Sequence, residues 1–307
     1  MVKICDVKVL LAVIVVLAFI TNAYPSELKK PAEGDKGTPS GMVLYDKKFI
    51  DSFFNAVKER NINEVNSFLS KGVDPNYVNE YGESALLFAT IAADAEVVRK
   101  LLSAGANPNS KDTHGTPVLT LASDEGYLDI VKALLDAGAD VSKKDNDGST
   151  ALMEAAEKDH IDIVKILLDA GADLNVENDN GVTALWLASS NGLIEVSELL
   201  LPLAKNIDAR EKYNKSTPLI NMARWGKVST VKALLDKGAD MNAQDTQGWT
   251  ALMWAAKDNY LDIVNLLLDK GADFKIKNRF GNTALKLARK EGNREIVQML
   301  KEAGAME

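Results

Sequence analysis

The chain has 307 residues, a formal net charge of −8 and 46% hydrophobic residues, a composition that suits a globular or solenoid protein and excludes an intrinsically disordered one. Its acidic balance leaves no electrostatic footprint for nucleic acid. The single cysteine, Cys5, precedes a long apolar run, so disulfides, cysteine metal sites and thiol chemistry are excluded from everything after that run.

Residues 1–23 read as a secretory signal. Lys3 and Lys8 lie ahead of the apolar run at residues 9–20, and Thr21, Asn22 and Ala23 supply a small-residue cleavage site. A membrane span needs ~20 residues, so removal is expected rather than an uncleaved anchor, and Cys5 lies on the wrong side of the run for a lipid anchor. Cleavage would leave a chain of net charge −9 with no stable span, because Lys3, Lys8 and Asp6 go with the signal. Residues 24–45 carry Pro25, Pro31 and Pro39 with Gly34, Gly37 and Gly41 among charged residues, a flexible linker that cannot build a core.

From residue 46 onward one unit recurs. The markers Gly72, Gly105, Gly138, Gly171, Ala204, Gly238, Gly271 and Gly304 are spaced by 33 residues with one step of 34, the signature of a stacked array. In the copy at residues 148–175, Thr150 is placed to cap a first helix with the apolar stripe Ala151, Leu152, Ala155 and Ala156. Asp159 and His160 break that helix. Asp162 opens a second helix with the stripe Ile163, Val164, Leu167 and Leu168, and Gly171 ends it in the left-handed region. Helices this short are marginal alone, so stacking must hide their apolar faces.

The first copy, residues 46–77, has Phe49 at the turn-glycine position and brings in Phe53, Phe54 and Phe68, which marks it as an N-terminal cap. Six full copies follow, with turn positions at Gly82, Gly115, Gly148, Gly181, Lys215 and Gly248. The last begins near Gly281 and carries Lys286, Arg289, Lys290 and Lys301, as a closing cap needs.

The spacing DxxGxTxL…AA…IV..LL..GAD.N resembles the ankyrin repeat over residues 46–305. Pro117 and Val118 replace the usual threonine and proline, Lys215 replaces a turn glycine, and Ala204 beside Pro202 replaces a helix-ending glycine where the extra residue falls. The stack is therefore expected to be irregular between the fifth and sixth units. The resemblance implies an all-α solenoid of helix-turn-helix units with β-turn fingers over residues 46–307. It also implies a concave groove, lined by the fingers and first helices, that grips a partner protein.

Chemistry has little foothold. His114 falls at a finger tip and His160 in a turn, each where the repeat accepts a polar residue. No HExxH, GxSxG, CxxC or GxxxxGK[ST] pattern occurs. Asp145, Asp147, Gly148 and Glu154 approach a calcium loop, but Lys143 takes the position that needs a carboxylate. The recurring Glu96, Asp129, Asp162, Glu195, Asp262 and Glu295 stand where acids stabilise a helix N-terminus. Neither an enzyme nor a cofactor nor a metal is expected.

The copies serve as an internal alignment. Just after the turn glycine, Trp249 stands among the mostly polar Glu83, Thr116, Ser149, Val182, Ser216 and Asn282. Ten residues after it, Trp225 stands among Glu125, Lys158, Asn191 and Asp258. Two residues before it, Tyr213 stands among Thr113, Asn146 and Asp179. These three aromatics are expected to be exposed and to form the aromatic centre of the groove, with Arg224, Lys215 and Lys257 making it locally basic and suited to an acidic protein surface. Trp254 is expected to pack between units, and Trp186 fits either a packing or a binding role. The same aromatics also fit a patch over the irregular junction. Three functions follow: a monomeric, exported or periplasmic scaffold that binds a protein, an accessory protein that holds or masks an exported enzyme, and an enzyme with a site assembled across repeats.

Overall fold

The computed structural model describes residues 46–306; the signal and linker expected at residues 1–45 lie outside them. Eight pairs of antiparallel helices follow one another: α1 and α2 (Lys47–Lys58, Ile62–Ser70), α3 and α4 (Ala85–Ile91, Ala95–Ser103), α5 and α6 (Val118–Asp124, Leu128–Asp136), α7 and α8 (Ala151–Glu157, Ile161–Asp169), α9 and α10 (Ala184–Ser190, Ile194–Leu200), α11 and α12 (Pro218–Arg224, Val228–Asp236), α13 and α14 (Ala251–Lys257, Leu261–Asp269), and α15 and α16 (Ala284–Glu291, Arg294–Glu302). The described residues form an all-α fold, as the resemblance implied.

The expected caps recur. Thr150, Thr183, Thr217, Thr250 and Thr283 each accept the backbone N–H three residues on, which satisfies one of the donors that a helix start leaves unpaired. Ser84 does the same for α3, while Pro117 leaves α5 without a side-chain cap. Each finger is closed by an acid or amide: Asp145 Oδ1 accepts from Asp147 N at 2.9 Å and from Ser149 N at 2.8 Å. In the sixth finger Glu211 and Asn214 divide this task, and Lys215 holds the left-handed turn at φ 59° without a glycine.

The first unit corrects one expectation. Asp46 caps α1 by accepting from Phe49 N at 2.7 Å, so Phe49 lies in the first turn of a 12-residue helix and not at a turn. Phe49 and Phe53 both pack edge-on against Phe68, at 5.0 and 5.9 Å, and Phe54 against Phe88 of the second unit at 5.8 Å.

Neighbouring units are tied by two kinds of hydrogen bond besides the continuous apolar core. One is an amide latch: Asn76, Asn109, Asn175, Asp208 and Asn242 each accept a backbone N–H from the following unit. Ser142 takes the same place in the third unit and bonds locally, to Asp140. The other joins finger to finger from the fourth unit on, through Asp179 N to Asp147 O, Lys212 N to Asn180 O, Thr246 N to Asn214 O and Arg279 N to Gln247 O, at 2.7–3.0 Å. From the third unit onward the first helices pack more closely on one another than the second helices do. The stack therefore curves with its first helices and fingers on the inner side.

Candidate protein-binding face

The seventh unit shows how the inner face is built. Thr250 fixes the start of α13, with Trp249 immediately before it and with Trp254 and Lys257 three residues apart on one helical face. The Trp249 and Trp254 rings stack, with centroids 4.4 Å apart and planes inclined by 26°. The Arg224 guanidinium, from the end of α11 in the preceding unit, lies 4.9 Å from the Trp254 ring centre, and the Lys257 ammonium lies 5.6 Å from it. Two cations thus share one indole. Lys257 is also paired with Asp258 at 2.7 Å, whereas no carboxylate among the described residues lies within ion-pair distance of the exposed Arg224. The Trp254 indole N–H is shielded from water and has no hydrogen-bond acceptor among the described residues.

The other expected site residues do not gather here. Tyr213 sits at a finger tip, 71% exposed, with the Lys212 ammonium 5.8 Å from its ring centre. Trp225 sits at the far end of α11, a helix about 10 Å long, so these two aromatics flank the helix instead of meeting. Trp225 is 50% exposed. Its indole donates to Ser190 O at 2.7 Å, and its ring lies so close over Gly192 that an added Cβ would stand 2.9 Å from it. Half of Trp225 therefore fastens the sixth unit to the fifth. Lys215 is exposed on its finger, outside the stack of indoles.

Trp186 is a correction to the binding set. It is 9% exposed and donates from Nε1 to Ser216 O at 2.8 Å, a strut across the fifth and sixth units. Trp254 packs against the preceding unit through Arg224, as expected, and it is also partly exposed and forms the centre of the cluster. Its column of Phe88, Leu121, Leu187 and Leu287 suggested packing, and Phe88 and Leu287 are buried at 9% and 4% exposure, whereas Trp254 stays partly exposed beneath the Arg224 guanidinium. Two exposed fingertip aromatics, Tyr81 and Phe280, were also missed. Comparing the residue just before each turn glycine, where His114, Asp147, Asn180 and Gln247 are polar, would have found them.

The fourth unit offers the opposite charge at the same places. Glu154 and Glu157 occupy the positions of Trp254 and Lys257. Lys158 pairs with Asp124 at 3.6 Å. Burial alone would lower the Lys158 pKa, but the nearby charges of Asp124, Glu157 and Glu154 outweigh it and hold it above the ordinary lysine value. Among the described residues no group of three or more His, Cys, Asp or Glu is placed to hold a metal ion, and no helix is long and apolar enough to cross a membrane.

Stacked helix pairs with fingers and a curved inner face define a helical repeat solenoid. The chain matches the family model for ankyrin repeats (3 copies) over residues 53–145, 119–212, 203–278 and 219–306, and it belongs to the ankyrin repeat family. It is similar to an ankyrin repeat protein of Rickettsia felis, with 40% identity over 60 residues that cover 20% of this chain and 88% of that protein. Among solved structures it resembles the ankyrin repeat domain of Bcl-3, a member of the IkappaB protein family. That match has a TM-score of 0.60 and 30% identity, and it covers 72% of this chain and 99% of that one. The ankyrin fold is generally a scaffold for protein–protein interaction and typically has no catalytic activity of its own.

Proposed function

We propose that this protein is an exported, monomeric scaffold that holds an acidic partner protein on its concave face, centred on Trp249, Trp254, Arg224 and Lys257. The observation that carries this reading is the cluster itself. Two stacked indoles remain partly open, and among the described residues the guanidinium lying on one of them has no carboxylate and one indole N–H has no acceptor. Trp and Arg in partly desolvated settings are the side chains that dominate binding hot spots. Export rests on the apolar run at residues 9–20 with its flanking lysines.

Affinity capture from the extracytoplasmic fraction of the host tests the reading, with the Trp249→Ala/Trp254→Ala chain as control. Each single substitution is expected to weaken the captured partner by at least ~2 kcal/mol, roughly 30-fold, while circular dichroism shows the helices intact. An unchanged capture profile in the double variant would overturn the proposal.

A further inference from the structure

One position near the end of the first helix changes charge along the stack. It is Lys58 in the first unit, Ile91 in the second, Asp124 and Glu157 in the third and fourth, Ser190 in the fifth, and Arg224, Lys257 and Lys290 in the sixth to eighth, where Glu291 follows Lys290 as the last residue of α15. One helical turn earlier, Glu154 in the fourth unit stands where Trp254 stands in the seventh. Each half also carries an opposite charge beside these positions. In the acidic half Lys158 faces Asp124, Glu154 and Glu157, and in the basic half Asp258 binds only Lys257.

We infer that the groove takes an extended peptide segment whose charges are segregated, with its basic end over the third and fourth units and its acidic end over the sixth to eighth. This rests on the groove reading above and adds the charge order of the partner. A uniformly acidic segment running the length of the groove would meet like charge at Asp124, Glu154 and Glu157, and a uniformly basic one would meet it at Arg224, Lys257 and Lys290. Like charges brought together across an interface oppose binding and select against wrong partners. Neutral Ser190 marks the crossing point. Three steps between neighbouring first helices separate Glu157 from Lys257, about 25–30 Å at ~8–10 Å per step. An extended chain at ~3.3–3.6 Å per residue covers that distance in about eight residues. The Trp249–Trp254 stack lies at the acidic end of such a segment and reports its arrival.

Three synthetic peptides of equal length test the inference against the full chain. The first joins a lysine block to a glutamate block through a serine–glycine centre. The second has the same composition with the charges alternating, and the third is glutamate throughout. Binding is read as anisotropy of the labelled peptide and as a change in tryptophan fluorescence. The segregated peptide is expected to bind about 10-fold tighter than either control, with affinity falling as salt is added. Both Glu154→Lys/Glu157→Lys and Arg224→Glu/Lys257→Glu should bring it down to the level of the alternating peptide, in chains whose melting confirms that they are folded. The inference is overturned if the glutamate peptide binds as tightly as the segregated one, if the Glu154→Lys/Glu157→Lys chain loses nothing, or if none of the three peptides binds. The groove reading is decided separately, by capture with the Trp249→Ala/Trp254→Ala chain.

Discussion

The fourth and seventh units share one frame and present two different faces. Ala151, Leu152, Met153, Ala155 and Ala156 are repeated as Ala251, Leu252, Met253, Ala255 and Ala256, and all ten are at most 1% exposed. Thr150 and Thr250 cap their helices in the same way. Toward the groove, however, Ser149, Glu154 and Glu157 become Trp249, Trp254 and Lys257. Positions packed against two neighbouring units tolerate little change, because close-packed interiors register even one methylene. Positions turned to the groove are free of that constraint, so the face can be rewritten without touching the stack.

The sharpest way to break this comparison is through the frame. Leu167 and Leu267 are equivalent and fully buried. Leu167→Ala and Leu267→Ala should each cost about 2–4 kcal/mol in urea unfolding, and a disparity between them much beyond ~1 kcal/mol would show that the two frames are not alike. Between these units, Trp186→Phe removes the indole bond and leaves Ser216 O unpaired. A loss of about 1–2 kcal/mol is expected, with capture of the partner unaffected, since Trp186 belongs to the frame. Rewriting the face should cost less. Trp254→Glu gives the seventh unit the residue of the fourth and forfeits one ring stack and its cation contacts, about 1 kcal/mol in thermal or chemical unfolding.

Two smaller effects concern the latches. Ser142→Asn supplies the amide that the third unit lacks and should stabilise by about 0.5–1 kcal/mol in the same unfolding assay. Asp208 is the one carboxylate among these latches, and burial is the main cause that raises its pKa above the ordinary 3.8. The nearby Asp240 charge adds to the rise, while the Asp240 N–H bond and Arg210 oppose it. A raised carboxyl contributes most to stability below its unfolded pKa and loses that contribution as pH rises through the folded value. At neutral pH Asp208→Asn should therefore raise Tm by about 1–2 °C, and the gain should vanish as pH falls below about 4. A gain that persisted in acid would mean that the carboxylate charge is not the cause.

Much of the molecule was legible beforehand because every copy repeats the same local demands. Thr150, Asp145 and Gly171 act within a few residues of themselves, through caps and turns that need no knowledge of neighbours. The site was legible only in part. Comparing copies found Trp249, Trp225 and Tyr213 as outliers but carried no information on which outliers meet. Tyr213 and Trp225 lie at opposite ends of one helix, and Trp186 turned inward to reach Ser216.

From the sequence alone came the repeat, its period, the helix pairs and their stops, because these depend on hydrogen bonds and apolar spacing within one unit. The tertiary structure alone decided that Trp254 and Arg224, thirty residues apart, share one surface, and that Phe49 lies inside a helix. These outcomes depend on how one unit turns against the next, a curvature set by packing summed over the whole stack and written in no single copy of the repeat.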